Sequence, residues 1–292
     1  MEIEPNNQIR HTVCKSWDDF TRIARADVAL KSSSYDRGAF KSYTLFRGQA
    51  DIDWPLHSKL ERHLEHHNLP TDREHNARRD EYLDACENIL LAFRTAARSI
   101  DPRFAEYSDQ HLWQVGRHYG LITNLLDWSE SPYVAAHFAF ERWYSLHEYK
   151  QDWMFEFKDE SLARIWGLCV FDNDLHREGE FEIYREMPLG AHRQLAQRGA
   201  FTRLCVPHPA GIHDYLLRRG LGHLLHAIDI PRKCFPEAAN DLVLMNINPL
   251  TLFPDIEGAA RHANIAYDAI REVRTIRAWT EELLTQVRPE KS

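Results

Sequence analysis

The stretch Leu125-Leu-Asp-Trp-Ser-Glu-Ser-Pro-Tyr-Val-Ala-Ala-His-Phe-Ala-Phe140 constrains this chain more than any other. Leu121 to Trp128 is short, partly apolar and strand-like. Ser129 or Ser131 is placed to cap a following helix, and Pro132 suits its first turn. Val134, Ala135, Phe138 and Ala139 would face inward. Tyr133 to Phe140 is the densest apolar run, yet it makes only one or two helical turns. A bilayer span needs roughly 18 apolar residues. The run therefore belongs in a protein core, with a strand handing the chain directly to a buried helix.

The other elements gather around that joint. Trp17, Phe20 and Ile23 offer a short helical apolar face within a lead-in segment, 1–39. Tyr43 to Phe46 reads as a strand running into a turn at Arg47-Gly48. From about Arg73 to Ser99 the spacing is helical, through Tyr82, Cys86, Ile89, Leu90 and Phe93. Asp109 to Val115 suggests another short helix, after which Gly116 and Gly120 bracket a tight passage. Trp166 to Phe171 is the clearest buried strand, with Gly199–Val206 and Leu242–Ile247 as further strand candidates. His213–Arg219 and a long amphipathic stretch, Gly258–Gln286, read as helices. Strands and helices mix without a βαβ rhythm, which predicts an α+β fold: a split, twisted sheet with flanking helices. No repeat or linker divides the 292 residues, so the expected organisation is one compact unit with peripheral helices, the last of them over 265–292 packed on it.

Composition removes several classes of function. The net charge of −8 gives no charge-driven reason to coat nucleic acid or an anionic membrane. The first residues carry two acids and no apolar core, unlike a secretory signal. Five scattered cysteines without a CxxC pair suggest reduced thiols, so a cytoplasmic, membrane-free protein is expected. P-loop, dinucleotide-fingerprint, GxSxG and HExxH motifs are absent. His63, His66 and His67 have a spacing that can serve a metal, but their very polar surroundings favour a solvated helix face, and no metal is expected.

Two clusters resist a bland account. In Phe46-Arg47-Gly48-Gln49 an arginine at a strand end precedes a glycine that permits close backbone approach, a pattern suited to clamping an anion or nucleotide. A surface arginine before a turn glycine explains the same residues. In Arg117-His118-Tyr119-Gly120, followed by Thr123 and by Asp127-Trp128-Ser129, polar aromatics precede a strand end where ligand groups collect. Capping by Asp127 or Ser129, with Trp128 in the core, is the structural alternative.

These residues resemble the FRG domain family, named for its Phe/Tyr-Arg-Gly motif. The likeness rests on FRGQ, Trp54-Pro-Leu, His-Tyr-Gly followed by LLDWSESPYVAAHFAF, Arg193–Thr202, and Leu252-Phe-Pro-Asp-Ile-Glu-Gly, in that order from about 40 to 264. Two positions depart from the family: Arg117 stands where it usually has glutamine, and Ile122-Thr123-Asn124 where it has Pro-Thr-Arg, which removes a charge.

The layout in turn is similar to ADP-ribosyltransferases of the Arg-Ser-Glu type. That resemblance implies their fold, NAD as co-substrate, and transfer of ADP-ribose to a protein or nucleic acid by a bacterial toxin or antiviral effector, with a cognate antitoxin or regulatory protein as partner. It assigns Arg47 to the pyrophosphate and Ser129 to the ribose. Gln194 or Gln197 falls where the glutamate is expected, and His118 or Tyr119 lies against the nicotinamide. Phe46, Gly48, Gln49, Gly120 and Thr123 complete the implied binding set. Glutamine supplies no negative charge, so either another acid supplies it (Asp127 first, then Glu182 or Glu186) or the site uses glutamine on an easier substrate. A non-catalytic nucleotide or RNA sensor, and a hydrolase or nuclease using His118 and Asp127, are the alternatives.

Overall fold

The computed structural model describes residues 8–35, 43–65, 75–144, 161–170, 179–185, 192–205 and 211–267. The strands are β1 (Arg10–Val13), β2 (Tyr43–Gln49), β3 (Leu125–Ser129), β4 (Leu162–Val170), β5 (Phe181–Tyr184), β6 (Gly199–Leu204) and β7 (Leu225–Pro231). The helices are α1 (Trp17–Tyr35), α2 (Lys59–Glu65), α3 (His75–Ile100), α4 (Asp109–His118), α5 (Pro132–Tyr144), α6 (His192–Ala196), α7 (Ile212–Arg218), α8 (Phe235–Leu244), α9 (Pro249–Leu252) and α10 (256–267).

One seven-stranded sheet runs in the order β1-β7-β4-β2-β3-β6-β5. Among these seven strands, β1 and β7 pair in parallel and the other pairings are antiparallel. The α+β expectation therefore holds. Between β2 and β3 the ladder consists of one pair, Phe46 opposite Ser129. Seven register pairs join β2 to β4, and five join β3 to β6. The sheet is thus two well-paired halves hinged at one junction.

Alternation along the strands builds a core on each face. Leu45, Trp166, Leu168 and Ala227 pack on one side with α7 residues Ile212 and Leu216. Phe46, Ile165 and Ile228 pack on the other with Ala135, Ala139 and Phe140 of α5 and Trp17 and Phe20 of α1. The joint between strand and helix is capped as anticipated. Ser131 Oγ accepts the Val134 amide (3.3 Å), and Ser129 Oγ accepts the Ser131 amide (3.0 Å).

Three expectations need correction. Leu242–Ile247 is no strand: it closes α8 and turns at Asn246, whose φ is 59°. Ala238 and Leu242, four residues apart, bury one face of that helix and leave Val243 and Leu244 exposed, a helical pattern hidden within a short apolar run. Arg47-Gly48 is no turn, because β2 continues through it to Gln49. The strand before α5 begins at Leu125 rather than Leu121. Phe171, Val206, Glu186, His66, His67 and the chain beyond 267 lie outside the described residues. Among the described residues, no helix is long and apolar enough to cross a membrane.

Candidate functional site

A cavity of about 440 Å³ opens where the β3–β6 half of the sheet meets α4 and α6. Arg117, His118, Tyr119, Asp127, Gln194 and Gln197 line it, with an aromatic share from Phe104, Tyr107, Trp128, Phe201 and Phe253. The His-Tyr pair, Asp127 and both glutamines, drawn from three separated segments, thus converge on one space. The volume and mixed lining are those of small-molecule sites.

The end of α4 sets the first wall. Leu121 donates its amide to the Gly116 carbonyl (2.8 Å) and Gly120 to that of Arg117 (3.2 Å), closing the helix through Gly120 at φ 89°. Glycine suits that left-handed backbone, so Gly120 is a helix terminator. Its carbonyl accepts from Lys59 Nζ (2.8 Å). The closure leaves His118 and Tyr119 exposed beside the cavity, their rings edge to face at 4.9 Å. Burial and the Arg193 charge lower the His118 pKa, with Asp255 and Glu257 opposing, so its imidazole is neutral at pH 7 and able to accept a proton.

Asp127 forms the floor. Arg117 grips its carboxylate with two bonds, Nε to Oδ1 (3.2 Å) and Nη2 to Oδ2 (2.5 Å). Arg47 donates from Nη1 to the Asp127 main-chain carbonyl (2.7 Å), and the same nitrogen lies 3.7 Å from Oδ2. Burial opposes ionisation, but the two guanidinium groups prevail and hold the Asp127 pKa below the ordinary carboxylate value. Arg47 itself is lowered to about 10, chiefly by burial, with Arg117 and Arg62 adding repulsion against the pull of Asp127. Arg117, standing where glutamine is usual in the resembled family, is therefore the direct counter-ion of Asp127.

The third wall is the turn between α6 and β6. Ser129 Oγ donates to the Gln197 carbonyl (2.6 Å), and the Glu130 amide to that of Arg198 (3.0 Å), whose φ is 49°. Gln197 Nε2 donates to the Leu252 carbonyl (3.1 Å). Arg193 is held by Asp255 and by Glu257 (2.7 Å), with its guanidinium over the Phe253 ring at 5.5 Å.

The remaining candidates serve the framework. Phe46 is 1% exposed in the core. A Cβ on Gly48 would stand 1.9 Å from the Ala135 carbonyl oxygen, so this glycine lets α5 lie against β2. Gln49 donates to the Pro55 carbonyl (3.1 Å) and accepts from Trp166 Nε1 (2.7 Å). Thr123 is buried, and its carbonyl accepts the Leu60 amide (3.0 Å). Asn124 is buried against the Leu204 carbonyl (3.3 Å) and Cys86 Sγ (3.4 Å). Glu182 pairs with Arg203 (3.2 Å) and does not line the cavity.

Sequence reasoning missed Gln114, Phe104 and Tyr107. Gln114 lies three residues before Arg117 and four before His118, on the same face of α4, and that spacing was the available signal. Also missed was Asp229, 1% exposed, which accepts two bonds from Arg164 (2.6 and 2.8 Å) and one from His11 (2.6 Å). Among the described residues, no group of three or more His, Cys, Asp or Glu is placed to hold a metal.

Compared with known protein families, residues 42–147 match the FRG domain. The match takes in FRGQ, the His-Tyr-Gly closure of α4 and the Asp-Trp-Ser end of β3, which supports the FRG resemblance over that segment. No curated protein and no solved structure matches the chain.

Proposed function

We propose that the cavity takes a nucleotide of the NAD type and that the protein transfers its ADP-ribose to a macromolecule, protein or nucleic acid. The observation that carries this reading is a carboxylate held ionised among aromatic walls. The Asp127 side chain is 43% exposed at the cavity floor, paired with Arg117, which also lines the cavity, and with Arg47, which does not. Breaking the C1′–nitrogen bond of a nicotinamide riboside leaves an electron-poor, oxocarbenium-like carbon, while nicotinamide departs with the bonding pair. A fixed negative charge beside that carbon stabilises it, and Asp127 supplies the charge that Gln194 and Gln197 lack. The target's nucleophile then bonds to C1′ and surrenders a proton, which neutral His118 accepts. Tyr119 offers a ring for stacking. Arg47 acts through Asp127, fixing the strand that carries it.

The test is incubation of labelled NAD with the protein and a cell lysate. Labelling of a macromolecule with nicotinamide release is expected, falling on the order of 10²–10³-fold in Asp127→Asn, by analogy with a lost transition-state contact. Absence of both products overturns the transferase reading. A second reading, a nucleotide sensor without turnover, draws on Arg117 occupying both Asp127 oxygens, which spends much of the charge before a ligand arrives. Binding without product over hours selects it.

A further inference from the structure

We infer that Gln114 reads the planar, hydrogen-bonding end of the nucleotide in this cavity: adenine, or the carboxamide of nicotinamide. Gln114 is 2% exposed and lines the cavity, and neither its Oε1 nor its Nε2 has a hydrogen-bond partner among the described residues. A buried amide with both ends unpaired destabilises a fold, which is why native proteins rarely keep one. Here it is retained on the α4 face that also presents Arg117 and His118.

The chemistry of the group selects the ligand. A primary amide is neutral and offers one acceptor beside one donor. A phosphate presents acceptors alone, so it would leave Oε1 unpaired. Adenine presents N6–H beside N7, and a pyridine carboxamide presents N–H beside C=O; either satisfies both ends at once. Phe104 and Tyr107, with ring centres 4.9 Å apart, supply aromatic surface in the same cavity for a planar ring. Gln194 Nε2, also buried and without a partner among the described residues, adds a donor for a ligand oxygen. This inference rests on the nucleotide part of the proposed function and is independent of turnover.

The experiment measures calorimetric affinities of AMP and nicotinamide mononucleotide for the full chain and for Gln114→Met, alongside thermal unfolding without ligand. AMP reports the adenine source and nicotinamide mononucleotide the carboxamide source. Gln114→Met should unfold at or above the wild-type temperature and bind at least one of the two about 10- to 100-fold more weakly, the worth of a two-point contact. If Gln114→Met fails to fold, Gln114→Asn, which draws the amide back by one methylene, carries the same test. A loss smaller than about tenfold for both probes, or no binding of either by the wild type, overturns the inference. Binding that depends on Gln114 without nicotinamide release would defeat the transferase reading and leave this one standing.

Discussion

Arg47 crosses the junction between β2 and β3 to donate to the main-chain carbonyl of Asp127 at 2.7 Å, on the residue whose carboxylate forms the cavity floor. The backbone ladder there is one pair long, Phe46 with Ser129. The guanidinium thus supplies a donor where β2's backbone pairing with β3 has ended. The arginine of the FRG motif and the aspartate of the Asp-Trp-Ser corner are one structural unit, although 80 residues separate them.

Arg47→Ala removes that donor and leaves the carbonyl poorly satisfied. A loss of about 1–3 kcal/mol is expected, read as a drop of several degrees in the unfolding temperature. Arg47→Lys should recover part of it, since one ammonium can reach the carbonyl or the carboxylate but cannot fork to both. Equal stability of wild type and Arg47→Ala would remove Arg47 from this role.

Gly48→Ala tests the contact of strand and helix. The new Cβ would meet the Ala135 oxygen at 1.9 Å and the Ala139 nitrogen at 2.5 Å, both backbone atoms that cannot swing aside. Separating α5 from β2 should cost at least the upper part of the usual overpacking range of roughly 1–3 kcal/mol. Denaturant titration reads the loss directly.

Ser129→Ala removes two bonds: the acceptor for the Ser131 amide and the donor to the Gln197 carbonyl. A cost of about 1–2 kcal/mol is expected. Ligand affinity should also fall, because the Gln197 turn loses an anchor. Ser129→Thr, which keeps the hydroxyl, should retain more of both than Ser129→Ala, as measured by calorimetry and thermal unfolding.

Acid should weaken the fold before the carboxylates titrate. Burial first, then the Arg261 charge, lowers His137 to about 4. Burial, Arg10 and His11 do the same to His226, also to about 4. His226 Nδ1 accepts from Arg10 Nη2 (2.6 Å), a bond that requires the neutral ring, while Nε2–H faces Thr12 Oγ1 (2.9 Å). The unfolded chain takes up these protons near 6.5, the folded one only near 4, so the unfolded state binds more protons between the two values. Stability is complete above 6.5 and declines as pH falls through that window, by on the order of 1–3 kcal/mol per histidine. His226→Gln, which keeps an acceptor for Arg10, should flatten the decline in a pH series of denaturant titrations.

Local signals located much of this fold. Period-3.6 spacing marked α3, and the serine-proline cap marked α5. The strands β1, β5 and β7 escaped for a shared physical reason. His11, Glu182 and Asp229 interrupt their apolar pattern, and each has an ionic partner distant in sequence: Asp229 with Arg164, His11 with Asp229, Glu182 with Arg203. No local rule sees a charge satisfied from across the sheet. The same limit applied at the site. Motif spelling brought His118, Tyr119 and Asp127 to attention, but it could not separate Phe46, Gly48 and Gln49, which hold strand to helix and strand to strand, from residues that face the cavity. Gln114 belongs to no motif, and its significance lies in being buried without a partner.

The most direct test of the central claim, that this cavity is a nucleotide site floored by Asp127, is a crystal structure of the full chain with ADP-ribose. The account predicts the ligand inside the cavity, a ribose hydroxyl within hydrogen-bond distance of the Asp127 carboxylate and the Arg47 bond to the Asp127 carbonyl intact. ADP-ribose bound elsewhere on the protein, with the Asp127 cavity empty at saturating ligand, would contradict it.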